Sequence, residues 1–154
     1  MQAQPSIQNL SKRSSLGWQR CHLKIVTKKS ELVYLDHNIA QLKVHNTLQL
    51  QRKAALPERA IILKARQFGI STKTEADSFE DTYRRPNRHA CVVSADTDST
   101  NKVFKMCRTF LDEMPDEMKR PIDYSNKKEI VYSKPHRSSI LCQTAGKDVL
   151  GRGG

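Results

Sequence analysis

Ala60-Ile61-Ile62-Leu63-Lys64-Ala65-Arg66-Gln67-Phe68-Gly69-Ile70-Ser71-Thr72 is the stretch on which the reading of the fold turns. Its first four residues are apolar at every position and too few for a helix, a pattern that suits a central parallel strand buried on both faces. A glycine-containing loop follows, and residues 70 to 84 then read as a helix that finishes before Pro86-Asn87. Strand, basic loop and helix in that order put the loop where a helix N-terminus faces its ligand.

Downstream, His89 to Ser94, with Ala90-Cys91-Val92-Val93 at its centre, predicts a second buried strand. Asp96 to Ser99 supply N-cap chemistry for a helix whose Val103, Phe104, Cys107, Phe110, Leu111 and Met114 share one face. Pro115 and Pro121 bracket its exit, Glu129 to Tyr132 and Ser139 to Cys142 are candidate strands joined through Pro135-His136, and Gly146 to Gly154 reads as loop. Upstream, residues 1 to 20 read as a flexible basic arm that becomes ordered near its end, with Trp18 as its one large anchor. Leu23 to Val26 and Leu32 to Leu35, around Thr27-Lys28-Lys29-Ser30, predict a β-hairpin. Asp36 or Asn38 then caps a helix running to about Ala55, before Pro57. Alternating strands and helices predict an α/β fold with a mainly parallel sheet and flanking helices, preceded by the basic arm and hairpin.

The 154 residues carry a formal net charge of +11, and the first thirty hold Lys12, Arg13, Arg20, Lys24, Lys28 and Lys29 with no Asp or Glu. Such a balance suits a polyanion, nucleic acid above all, and equally suits a solubilising basic tail. With 37% apolar residues and a mean hydropathy of -0.66 the expected core is small. Cys21, Cys91, Cys107 and Cys142 lie far apart with no C-x-x-C pair, which argues against a zinc site or a disulfide framework. The five histidines are scattered and offer no catalytic constellation. No apolar run reaches the ~18 residues of a membrane span, so the expectation is a soluble intracellular protein.

Lys64 to Thr72 overlays the phosphate-binding pattern G-x-x-x-x-G-K-[ST] in part. In that pattern backbone N–H groups wrap the phosphates, lysine supplies charge and the hydroxyl binds Mg²⁺. Gly69 and Ser71 keep the second glycine and the hydroxyl at the right spacing, while Lys64 stands at the first glycine and Ile70 at the lysine. A loop that curls brings its two ends to one anion, so a lysine at its start can serve from the other side, and Arg66 adds a planar fork suited to phosphate. The plain alternative is a strand-to-helix turn with a solvated basic rim. Asp112, Glu113, Asp116 and Glu117 crowd the end of a surface helix and read as a solvated face.

The string LKARQFGIST resembles the deviant Walker A motif of phage large terminase subunits, in which the lysine sits at the start of the loop. The resemblance runs over roughly residues 32 to 154 and implies an incomplete P-loop NTPase domain of the ASCE/RecA-like kind, residues 21 to 154, with the Walker B strand and a nuclease domain absent. It implies ATP and Mg²⁺ as cofactors. Lys64, Ala65, Arg66, Gln67, Gly69, Ile70, Ser71 and Thr72 form the nucleotide loop, with Lys64 on the phosphates, Ser71 on the metal and Arg66 as sensor or arginine finger. Asn38-Ile39-Ala40-Gln41 resembles the upstream Q motif, in which Gln41 reads adenine; Gln49 and Gln51 are rivals for that role. Thr144-Ala145-Gly146 and Gly151-Arg152-Gly153 resemble the loop before Walker B, so the fragment is expected not to hydrolyse ATP alone. Implied partners are double-stranded DNA, a portal protein and a small terminase subunit, in the cytoplasm of a bacterial host and without a membrane. The alternatives are a fragment of a related helicase-type ATPase and a non-enzymatic basic nucleic-acid-binding remnant of a prophage gene.

Overall fold

A computed structural model describes residues 14–146, so Lys12, Arg13 and Gly151-Arg152-Gly153 lie outside the described residues. The architecture is mixed α/β. Helix α1 (Ser15–His22) leads into a hairpin of β1 (Lys24–Val26) and β2 (Leu32–Tyr34), followed by α2 (Ile39–Lys53), α3 (Ile70–Arg84), β3 (His89–Ser94) and α4 (Thr97–Asp112). Strands β4 (Ile122–Ser125), β5 (Glu129–Tyr132) and β6 (Ser139–Thr144) complete the described part. The main sheet has the order β3-β6-β5-β4.

Local chemistry sets the helix starts. The Asn38 side chain accepts from the Gln41 N–H at 3.0 Å and the Gln41 side chain accepts from the Asn38 N–H at 2.9 Å, a reciprocal capping box that opens α2. Asp96 accepts from the Ser99 N–H at 2.8 Å and opens α4. Both helices, and the hairpin with its Lys24↔Tyr34 to Val26↔Leu32 register, follow the sequence expectation closely.

The sheet departs from expectation in direction. β3 and β6 are parallel, but β5 runs antiparallel to β6 and β4 antiparallel to β5, so one pair of three is parallel. Two short connections are the reason: at 126–128 Asn126 Oδ1 accepts from the Lys128 and Glu129 N–H groups at 2.6 and 2.7 Å, and at 133–138 the His136 N–H donates to the Ser133 carbonyl at 3.0 Å, each turning the chain straight back. Helices α3 and α4 cover one face of the sheet, burying Phe79, Tyr83, Phe104, Cys107 and Phe110 against Ile130, Tyr132, Ile140 and Cys142. Among the described strands β3 lies at the edge of the sheet, with Cys91 and Val93 exposed, rather than being buried on both sides.

The expected central strand at 60–63 is not formed. Those residues have no strand assignment, Ile61 and Leu63 are fully exposed, and the segment runs beside α2. An apolar run becomes a strand only where a neighbour takes its N–H and C=O groups, and no described strand lies beside this one.

Residues 15 to 20, expected within a flexible arm, form most of α1. Trp18 is 2% exposed and lies 5.9 Å from the Tyr83 ring. The helix docks on α3 through polar groups: Gln19 Nε2 donates to Glu80 Oε2 at 2.7 Å and to Asp77 Oδ1 at 2.8 Å, and Ser15 donates to Glu80 at 2.5 Å. Among the described residues no helix is long and apolar enough to cross a membrane.

Because Trp18 fills the junction of α1 and α3, Trp18→Ala is expected to cost about 3 to 5 kcal/mol. A thermal melt followed by circular dichroism checks this. A melting temperature within about 2 °C of wild type would place Trp18 outside the cooperative core.

Candidate functional site

The loop between α2 and α3 is held by side chains of α2. Gln51 grips Arg59 twice, accepting from its N–H and donating to its carbonyl, each at 2.9 Å. At the other end of α2, Gln41 Nε2 donates to the Gly69 carbonyl at 2.8 Å and Asn38 Nδ2 donates to the Phe68 carbonyl at 3.2 Å. Lys28 from the hairpin donates to Gln67 Oε1 at 2.7 Å. Gln67 and Gly69 both have φ of 69°, and these left-handed residues turn the chain into α3.

Gly69 is needed there for two reasons. Its φ disfavours any Cβ by about 1–2 kcal/mol, and a Cβ built on it would stand 2.8 Å from Gln41 Nε2. Its carbonyl also accepts the Lys73 N–H at 3.0 Å, the first bond of α3. The amides before Lys73 lie outside the helical ladder and receive no side-chain cap. Those N–H groups and the positive end of the helix dipole form an anion-facing surface.

Beside that surface lies a cavity of about 310 Å³ at the carboxyl ends of the parallel strands, lined by Ser71, Thr74, Glu75, Ser94 and Ser99 among others. The strand ends are tied together: the Ala145 N–H donates to the Ser94 carbonyl at 2.7 Å, and the Thr100 and Thr144 hydroxyls share a hydrogen bond of 2.8 Å. The first turns of α3 and α4 therefore meet over the ends of β3 and β6, the place where open α/β sheets bind ligands.

The residues singled out from sequence scatter in part. Gln41 is 3% exposed and both ends of its amide are used within the chain, so it fastens the loop instead of presenting a free edge to a base. Lys64 and Ala65 line a different cavity, about 540 Å³ and mostly apolar, between residues 60–65 and α2. Arg66 and Gln67 are exposed on the turn. Ile70, 6% exposed, separates the two cavities and contributes to both. The Thr72 hydroxyl faces Met106 of α4 with an O···S distance of 3.6 Å. Ser71 is exposed at the smaller cavity, so Lys64 and Ser71 do not share one space. Of the rival glutamines, Gln51 is occupied by Arg59, and Gln49 lines a third cavity, about 710 Å³, along α1 and the end of α3.

Glu75 was passed over in the sequence. It sits one helical turn after Ser71, is 1% exposed, and neither carboxylate oxygen has a hydrogen-bond partner within the described residues. Burial pushes its pKa up to about 7, against a weaker opposing contribution from the Cys107 thiol. The same burial, with the Glu75 charge adding to it, raises the Cys107 thiol well above its ordinary value. The one signal in the sequence is a carboxylate within the face that also carries Ala76 and Phe79.

No family model matches this chain, and no curated protein matches it.

The raised pKa of Glu75 means that the folded chain binds a proton there more tightly than the unfolded chain. Its stabilising contribution is complete below the ordinary carboxylate value of 4.5 and is lost as pH rises through about 7. His37, whose pKa burial and then Lys73 push down, acts in the opposite sense at lower pH. The comparison is therefore wild type against Glu75→Gln, in which the histidines cancel. Between about pH 5 and pH 8 wild type should lose about 2 to 3 kcal/mol relative to the variant. Parallel stability curves would show that Glu75 is not buried as described.

Proposed function

We propose that this chain carries the nucleotide-binding part of an ATP-driven DNA-packaging motor of the large-terminase kind. The carrying observation is the start of α3: Gly69 in the left-handed region, clipped by Gln41, uncapped amides beyond it, and Ser71 in the first turn beside the strand ends. Such amides hold phosphate oxygens directly. Lys64 and Arg66, both exposed on the loop, add the charge that a triphosphate needs.

The residues present fit a phosphate group. Toward Mg²⁺ the loop offers the Ser71 hydroxyl, and among the described residues no group of three His, Cys, Asp or Glu side chains could hold a metal. When bound, the metal neutralises charge on the phosphates. The chain's own part is to hold and orient: α3 amides on the phosphates, Gln41 and Asn38 on the loop carbonyls, and the side of α4 closing the cavity. A portal protein, a small terminase subunit, double-stranded DNA and the bacterial host's cytoplasm belong to this proposal through the resemblance of LKARQFGIST.

One observation favours a second reading. Lys64 and Ser71 line separate cavities, as expected if the basic loop serves a nucleic-acid backbone and not a nucleotide.

Titration with a fluorescent ATP analogue and Mg²⁺ separates the two. Charge-assisted bonds to phosphate are commonly worth about 1.5 to 3 kcal/mol, so Lys64→Ala should weaken binding about tenfold or more while Lys105→Ala leaves it unchanged. Equal losses from both substitutions would sink the nucleotide reading and leave the basic-surface one.

A further inference from the structure

α3 spans 15 residues, and β3 returns antiparallel to it over six, so the loops at the start of β3 and β6 lie at the far end of the domain from Gly69, about 20 Å away. Two loops, 85–88 and 133–138, are locked together there. The Asn87 N–H donates to the His136 carbonyl at 2.8 Å and the Ser139 N–H to the Arg88 carbonyl at 2.9 Å. Ser138 Oγ accepts from the Arg88 N–H at 3.0 Å and donates to the Arg85 carbonyl at 2.8 Å. Asn87 and Arg137 both take left-handed backbone, with φ of 56° and 57°, and His136 Nε2 is bonded to the Thr82 carbonyl at 2.7 Å beneath them.

This interlocked platform displays Arg85, Arg88, Lys134 and Arg137 against one carboxylate. Asp81 lies 3.1 Å from Arg85 and 3.9 Å from Arg88, yet those two side chains remain 53% and 52% exposed. Lys134 and Arg137 are exposed and stand in no ion pair among the described residues. Four cations on rigid backbone, two or more of them uncompensated, form a surface for an extended polyanion. The one aromatic ring in the two loops, His136, is buried and bonded to the Thr82 carbonyl, so no exposed ring is offered for unpaired bases to stack on, and the loops carry no large apolar residue to enter a bilayer.

We propose that the 85–88 and 133–138 loops form a sequence-independent contact for the phosphate backbone of duplex DNA. Guanidinium forks on Arg85, Arg88 and Arg137 take phosphate oxygens in pairs, Lys134 acts as a point charge, and the hydrogen bonds between the loops fix their spacing. The partner is the DNA of the reading above, but the contact rests on these side chains alone.

The test is fluorescence anisotropy with a mixed-sequence DNA duplex across a salt series, using the full chain. Arg88→Gln/Lys134→Gln/Arg137→Asn removes three charges and keeps a residue tolerant of left-handed backbone at 137. Each lost phosphate contact flattens the slope of log affinity against log salt by about 0.9, so this variant should lose about 2 to 3 units of slope. Lys102→Ala/Lys105→Ala/Lys127→Ala, with the same change in net charge, should lose less than about one. The single substitution Lys134→Gln, whose side chain supports no described bond, should lose about 0.9 and serves if the triple variant does not fold. Equal slope changes in the two triple variants, or an unchanged slope in Lys134→Gln, overturn the proposal. ATP-analogue affinity, measured on the same variants, stays at the wild-type value, so the nucleotide and DNA readings can fail separately.

Discussion

Two side-chain amides at the start of α2 determine the shape of the loop that leads into α3. Gln41 and Asn38 cap their own helix and at the same time hold the carbonyls of Gly69 and Phe68. The two tasks are coupled, because an amide that accepts with its oxygen still has its nitrogen to donate. Sixteen residues, from Ala54 to Gly69, separate α2 from α3 without regular structure. A connection of that length is held in one conformation only if side chains pin it. Gln51 pins its early part at Arg59, Lys28 reaches its turn at Gln67, and Gln41 with Asn38 pins its end. The direction of α3, and with it the position of Ser71 and Glu75 over the sheet, follows from that last grip.

From there the two ends of the domain acquire different chemistry. At the carboxyl ends of β3 and β6, uncapped amides, hydroxyls and a buried carboxylate surround a small cavity. At the opposite ends, two loops bonded to each other carry exposed guanidinium groups. Between them lies a core of Phe79, Tyr83, Phe110, Tyr132 and their neighbours, packed at ring-centroid distances of 5.2 to 5.7 Å. A stiff middle of this kind keeps the two charged ends at fixed separation. The α3 helix is common to both, with Gly69 at one end and Arg84-Arg85 at the other.

What the sequence disclosed was local. Asp36 or Asn38, of which the structure uses Asn38, and Asp96 announced α2 and α4 because an N-cap needs only its own next three residues, and Pro86-Asn87 marked the end of α3 for the same reason. What it concealed depended on distant partners. The apolar run 60–63 looked like a central strand, but strand formation belongs to a pair of segments, and no described strand pairs with it. Trp18 looked like the anchor of a loose arm because its burial comes from Tyr83 and from the Gln19–Glu80 bond, more than sixty residues away in each case. Ile122–Ser125 went unnoticed as a strand because all four residues are exposed and, among the described residues, it pairs with β5 alone. At the site, Gly69 and Ser71 were legible by spacing. The service of Gln41 to the loop was not, since it is decided by a carbonyl 28 residues on.

The central claim is that Gln41 holds the phosphate-like loop in shape, and amide hydrogen exchange tests it most directly. In Gln41→Ala, residues 66 to 73 should exchange about ten- to a hundred-fold faster, the effect of losing a buried hydrogen bond of about 1–3 kcal/mol, while β5 and β6 exchange as in the parent. Unchanged protection across 66 to 73, or a uniform loss over the whole sheet, would contradict the account.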